Sequence, residues 1–162
     1  MRGDVHFFAL DSDPAEPDGI SATSRQAQWL RQALAASQAS LEGGVSAPRA
    51  LFVGQARRHS HHAVALPRVG ASVVLAGHDH HYERLVVDGL PYLVNGLGGR
   101  SISVGTRPLL AESQHFYSGD YGALLLAATP DSLTMQFFTR RQKLVDTYVL
   151  RQPVGPTPCC TR

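Results

Sequence analysis

Apolar residues in this chain come mostly in short runs, the signature of strands. Val5-His6-Phe7-Phe8-Ala9-Leu10, Ala50-Leu51-Phe52-Val53 and Ser72-Val73-Val74-Leu75 each read as a buried strand. Leu85-Val86-Val87 and Pro91-Tyr92-Leu93-Val94 flank Asp88-Gly89, and Asp-Gly between apolar runs is a strong hairpin signal. Three more strands are predicted at Tyr121–Ala128, Leu133–Thr139 and Leu144–Leu150, with turns at Pro130-Asp131 and Arg140–Lys143. One segment has helical spacing instead. Ala27, Leu30, Leu34 and Leu41 share a stripe, with Ala33 beside it and Trp29 flanking it. Thr23 with Gln26, or Ser24, supplies the start, and Glu42-Gly43-Gly44 the stop. Such a helix covers a sheet, so Trp29 reads as packing rather than as a substrate contact. Residues 100–120 show neither period and read as a loop. Asn95-Gly96-Leu97-Gly98-Gly99 reads as a flexible turn; no helix follows it and no lysine closes it, so it is no phosphate cradle. Strands with one covering helix predict an α/β fold.

A length of 162 residues suits one domain, and 43% hydrophobic with 17% charged residues marks a globular chain. A net charge of +2, without a basic helix or arginine stripe, argues against a nucleic-acid partner. No apolar run approaches the ~20 residues of a membrane span, which argues against a membrane partner. The start of the chain lacks the pattern of a signal peptide, and localisation stays open. Cys159 and Cys160 are adjacent and read as free thiols in a tail. That tail, with three prolines from Gln152 onward, is expected to be disordered, which divides the chain into a domain over 1–150 and a tail over 151–162.

The candidate chemistry lies directly after the Ser72–Leu75 strand, in Ala76-Gly77-His78-Asp79-His80-His81. The glycine allows a sharp turn where the strand ends. Two imidazoles at i and i+2 would share a face on extended backbone, and neutral imidazole is the commonest metal ligand. Open α/β sheets place their sites at the carboxyl ends of strands. By spacing alone, a surface histidine tract is an equal reading.

Gly77-His78-Asp79-His80, followed by Tyr82-Glu83-Arg84, resembles the last metal-binding motif of the calcineurin-like metallophosphoesterases, G-H-x-H and then Y-E-R, most closely in the purple acid phosphatase branch. The resemblance continues in order through His6–Asp13, Gln26–Leu34, Ala50–Gly54, Val73–Arg84, Pro91–Gly99, Asp120–Leu126 and Val145–Leu150. It implies the C-terminal portion of a four-layer α/β/β/α sandwich. It implies hydrolysis of a phosphate ester at a centre of two metal ions, iron, zinc or manganese, about 3.5–4 Å apart. His78 and His80 would each ligate one metal, and His81 and Tyr82 would flank the substrate. Asp79 would point away, and Glu83 and Arg84 would pair and brace the loop.

The chain departs from that pattern elsewhere. Gly3-Asp4-Val5-His6 imitates the opening D-x-H motif but precedes its strand instead of following it, so Asp4 and His6 read as bystanders. Asp11 and Asp13 read as turn or capping carboxylates. Gly119-Asp120-Tyr121 imitates the bridging-aspartate motif and also precedes its strand, so Asp120 reads as structural. No G-N-H occurs, and Gln55 stands where the family has a ligating histidine. His59, His61 and His62 read as a solvated basic loop; the alternative is that one of them replaces the lost ligand. This set implies low or no phosphatase activity for the chain alone. The alternative function is a non-catalytic interaction or structural module, poorly soluble in isolation, that self-associates through an exposed sheet edge.

Overall fold

A computed structural model describes residues 5–11, 13–39, 50–53, 71–103, 109–129 and 132–151; for 37–39 and 50–53 the description covers the backbone. The elements are β1 (Phe7–Leu10), α1 (Arg25–Ala39), β2 (Ala50–Val53), β3 (Val73–Ala76), β4 (Tyr82–Val87), β5 (Leu90–Asn95), β6 (Ser113–Tyr117), β7 (Gly122–Thr129), β8 (Ser132–Thr139) and β9 (Leu144–Arg151). The fold is α/β. One sheet has six strands in the order β1-β2-β3-β5-β4-β6, and the other is the meander β7-β8-β9. β1, β2, β3 and β5 run parallel, and β4 pairs antiparallel with both β5 and β6.

Alternation along the strands builds the layers. On one face of the larger sheet, Val73, Leu75 and Leu93 pack with Leu133 and Met135 of β8, with Leu124 and Leu126 of β7 against them. On the other face, Val74 and Leu90 pack with Leu30 and Leu34 of α1, beside Phe8 and Leu10. β3 is therefore buried on both sides, which is why it reads as a continuous apolar run. Ala27, Leu30 and Leu34 carry the predicted stripe and are buried, each leucine contributing about 1.5–3 kcal/mol. Ser24 caps the helix, its Oγ accepting the Ala27 N–H at 3.2 Å. Trp29 is half-exposed and meets Phe8 edge-on, with ring centroids 6.3 Å apart.

The β4–β5 hairpin turns at Asp88 and Gly89, both with positive φ (50° and 80°), as the Asp-Gly signal requires. The predicted 100–120 loop is corrected: Ser113–Tyr117 forms β6, paired with β4. Its polar residues carry no strand signal of their own; the open edge of β4 specifies it.

The two sheets are unequal in width. Register places Phe7 in one row with Ala50 and Val73, hence on the face that meets the smaller sheet. Val73 is fully covered there, whereas Phe7 is 53% exposed. The predicted roles of Asp4, Leu41, Gln55, His59, His61, His62, Cys159 and Cys160 fall outside the described residues. β9 continues through Arg151, one residue past the expected domain limit of 150.

Candidate functional site

β3 stops at Ala76, and Gly77–His81 crosses the carboxyl end of the sheet as a series of bends. Asp79 N–H donates to Gly77 O (3.0 Å) and His81 N–H to Asp79 O (2.8 Å), closing two tight turns in succession. His78 sits in the left-handed region at φ 75° and is exposed. The strand argument for a shared face at positions 78 and 80 therefore does not apply, because this backbone is not extended. His80 is half-buried.

The loop rests on the segment after β5. Gly96 N–H donates to His81 O (3.0 Å) and Ser103 N–H to His80 O (2.9 Å), while Ser101 Oγ lies 3.4 Å from His80 Nδ1. A β-carbon at position 96 would stand 2.6 Å from the Asp79 carbonyl carbon and closer still to its oxygen. The expected flexible turn at 95–99 is a fitted seat, and glycine at 96 is required by that approach.

Beyond the loop, β4 sorts its side chains by parity. His81 and Glu83 are buried together, Nε2 to Oε2 at 3.1 Å, with the Phe116 ring 4.9 Å from the imidazole. Tyr82 and Arg84 point the other way, between the sheets. Tyr82 stacks on Phe137 (4.3 Å, 10°), and its hydroxyl donates to Asp146 Oδ2 at 2.8 Å. Arg84 makes a forked pair with the same carboxylate, Nε at 2.7 Å and Nη2 at 3.1 Å, and its guanidinium lies 5.0 Å over Tyr148. His115 Nδ1 of β6 is 3.9 Å from Asp146 Oδ1. The expected Glu83–Arg84 pair is corrected: successive residues on a strand face opposite sides, so each finds a different partner.

Burial, and then the hydrogen bond to Asp146, pushes the Tyr82 phenol well above its usual value. The hydrogen bond to Asp146 also raises Arg84. Burial works to raise Asp146, but its hydrogen bonds from Arg84 and Tyr82, with the charges of Arg84 and His115, outweigh it and hold the carboxyl below the ordinary range.

His81 and Tyr82, expected beside a substrate, are thus both buried, and Tyr82 is 1% exposed in the core between the sheets. Asp120 takes the structural position expected of it, 2.7 Å from Arg140 and accepting the Tyr121 N–H at 2.9 Å. Asp146 was missed. The signal available was its phase: it shares the inward parity of Tyr148 and Leu150, an acid in an apolar row.

Two close cations need anionic ligands to offset their repulsion. Among the described residues, no group of three His, Cys, Asp or Glu side chains could hold a metal ion. His78 and His80 supply imidazole only, so the described residues do not make up a dinuclear centre. Among them too, no helix is long and apolar enough to cross a membrane.

No protein-family model matches the sequence, and no curated protein matches it. Solved structures do. The fold is similar to that of a purple acid phosphatase from yellow lupin seeds (TM-score 0.69, 15% identity), over 92% of this chain and 31% of that one. It is also similar to GAP50, titled the anchor in the inner membrane complex of Plasmodium (TM-score 0.65, 14% identity), over 91% of this chain and 49% of that one. The chain spans about half the length of one of these proteins and about a third of the other. At such identities the likeness is one of fold.

Proposed function

We propose that this chain is a segment of a calcineurin-like metallophosphoesterase domain that carries the histidine loop of a phosphoesterase centre, and that by itself it turns over phosphate esters slowly or not at all. The observation that carries this reading is the seated loop. His78 and His80 stand at the carboxyl end of a central parallel strand, in a fold like that of a purple acid phosphatase, and no carboxylate joins them among the described residues. The substrate class is a phosphate monoester or diester, and the metals are those the resemblance implies. Hydrolysis of p-nitrophenyl phosphate, with zinc, manganese or iron added, tests the reading. The expected rate equals that of a His78→Ala/His80→Ala double variant. Robust turnover that the double variant abolishes would overturn the claim of low activity.

A second reading, a non-catalytic interaction module, is favoured by the exposed apolar side chains Phe7, Trp29 and Leu125 and by the likeness to a protein titled an anchor. A binding role that persists in the double variant would separate it from the first.

A further inference from the structure

The smaller sheet brings a basic turn to the end of the molecule where the histidine loop lies. Tyr82 opens β4 directly after that loop and stacks on Phe137, two residues before β8 ends. The β8–β9 turn, Arg140–Lys143, therefore stands at the same end. Three backbone hydrogen bonds connect turn and loop in steps. Arg140 N–H donates to Tyr121 O (2.8 Å), Gly122 N–H to Leu97 O (3.0 Å), and Gly96 N–H to His81 O (3.0 Å).

The turn is held in shape. Gln142 takes the left-handed conformation (φ 62°), and its N–H donates to Thr139 O at 2.9 Å. Arg140 Nε lies 2.7 Å from Asp120 Oδ1, with its guanidinium 5.5 Å over the Tyr121 ring. Arg141 Nε is 3.7 Å from the other oxygen of the same carboxylate. Lys143 adds a further cation, so one carboxylate faces an excess of positive charge. Both arginines approach Asp120 by Nε, and a guanidinium has four N–H donors besides that one. Arg140 and Arg141 are 59% and 80% exposed, and Arg100, in the segment that seats the loop, is exposed too. The acids at this end lie elsewhere. Asp11, Asp13, Glu16 and Asp18 follow β1, at the opposite edge of the larger sheet, and Asp79 is half-buried in the loop itself. The histidine loop thus lies between an acidic side and a basic side.

We propose that the β8–β9 turn is an anion subsite, which takes a phosphate group of the ligand other than the one presented to His78 and His80. The ligand class is an ester or anhydride that carries two or more phosphates. The choice of phosphate rests on the phosphoesterase reading of the neighbouring loop. The choice of the turn rests on its own charge and geometry. Guanidinium groups meet phosphate oxygens with paired, charge-assisted N–H donors, and a guanidinium already pinned by a carboxylate and a ring loses less freedom when it binds.

Amide spectra of the full chain, titrated with inorganic phosphate and with tripolyphosphate at fixed ionic strength, test this. The resonances of Arg140–Lys143 and Arg100 should move and saturate, at lower concentration for tripolyphosphate. Arg141→Gln should weaken tripolyphosphate binding about threefold, and Arg140→Gln/Arg141→Gln/Lys143→Gln about tenfold or more. Arg141 is exposed, so its variant removes charge without touching the core, and unchanged resonances in β3 and β5 report that the fold is kept. Arg151→Gln removes an equal charge at the far end of β9, about 20 Å away and beyond the ~10 Å screening length at moderate salt, and should change the affinity by less than about twofold. In His78→Ala/His80→Ala the response of the turn to inorganic phosphate should stay as it is in the wild type. Turnover of p-nitrophenyl phosphate reports on the loop and this titration on the turn, so either reading can fail alone. A turn whose resonances do not saturate would overturn the proposal. Equal weakening by Arg141→Gln and Arg151→Gln would overturn it too, since overall charge would then account for the attraction.

Discussion

The Tyr82 hydroxyl donates to the Asp146 carboxylate at 2.8 Å across the gap between the two sheets, and Arg84 closes on the same carboxylate from two positions along the strand. One carboxylate thus fastens the start of β4, directly after the histidine loop, to β9. Asp146→Ala leaves a buried phenol and a largely buried guanidinium without their acceptor. The expected loss is about 3–5 kcal/mol, measured by urea unfolding. Asp146→Asn keeps one acceptor and should lose less.

The same carboxylate sets an acid limit. Its folded pKa lies below the ordinary aspartate value of 3.8. A depressed carboxyl contributes stability that is complete above the unfolded value and is lost as pH falls through the folded one. Urea midpoints should therefore be flat around pH 5–7 with respect to this group and fall below about pH 4. In Asp146→Asn that acid slope should be shallower. An equally steep fall in the variant would assign acid sensitivity to other groups.

Gly96 supports the loop by having no side chain. Gly96→Ala forces a methyl group against the Asp79 carbonyl, and backbone on both sides must shift. The expected cost is about 1–3 kcal/mol, as for overpacking elsewhere. The His80 and His81 backbone amide resonances should move while those of β8 stay in place. Gly98→Ala is the control, since a β-carbon there meets no atom within 4 Å.

Much of this arrangement was legible because local pattern and tertiary burial agree. Val73–Ala76 is apolar on both faces because it is central, and Asp88-Gly89 turns a hairpin by its own dihedral preference. The stripe Ala27–Leu30–Leu34 is the face that α1 buries. β6 was hidden because Ser113, Gln114 and His115 gain strand geometry only from β4. Asp146 was hidden for a related reason. A lone acid on a strand looks like a surface residue until Tyr82 and Arg84 are brought to it from 64 and 62 positions away. The seat under the loop was equally unreadable, since a glycine run looks the same whether it is loose or in close contact.

Metal content separates a working centre from an inherited loop. Two imidazoles hold a transition-metal ion weakly next to a full shell of carboxylate and imidazole ligands, and His78 is held in a turn by backbone hydrogen bonds without needing an ion. Elemental analysis of the purified chain after long dialysis should find far less than one metal per chain. Added zinc should leave the thermal midpoint of the wild type and of His78→Ala/His80→Ala within about 1 °C of each other, since a ligand stabilises only in proportion to its occupancy. Close to two metals per chain, lost in the double variant, would mean that a full ligand set assembles. His59, His61 and His62 would then be the residues to replace next, because they are the imidazoles nearest in sequence to Gln55, where the resemblance implies a ligating histidine.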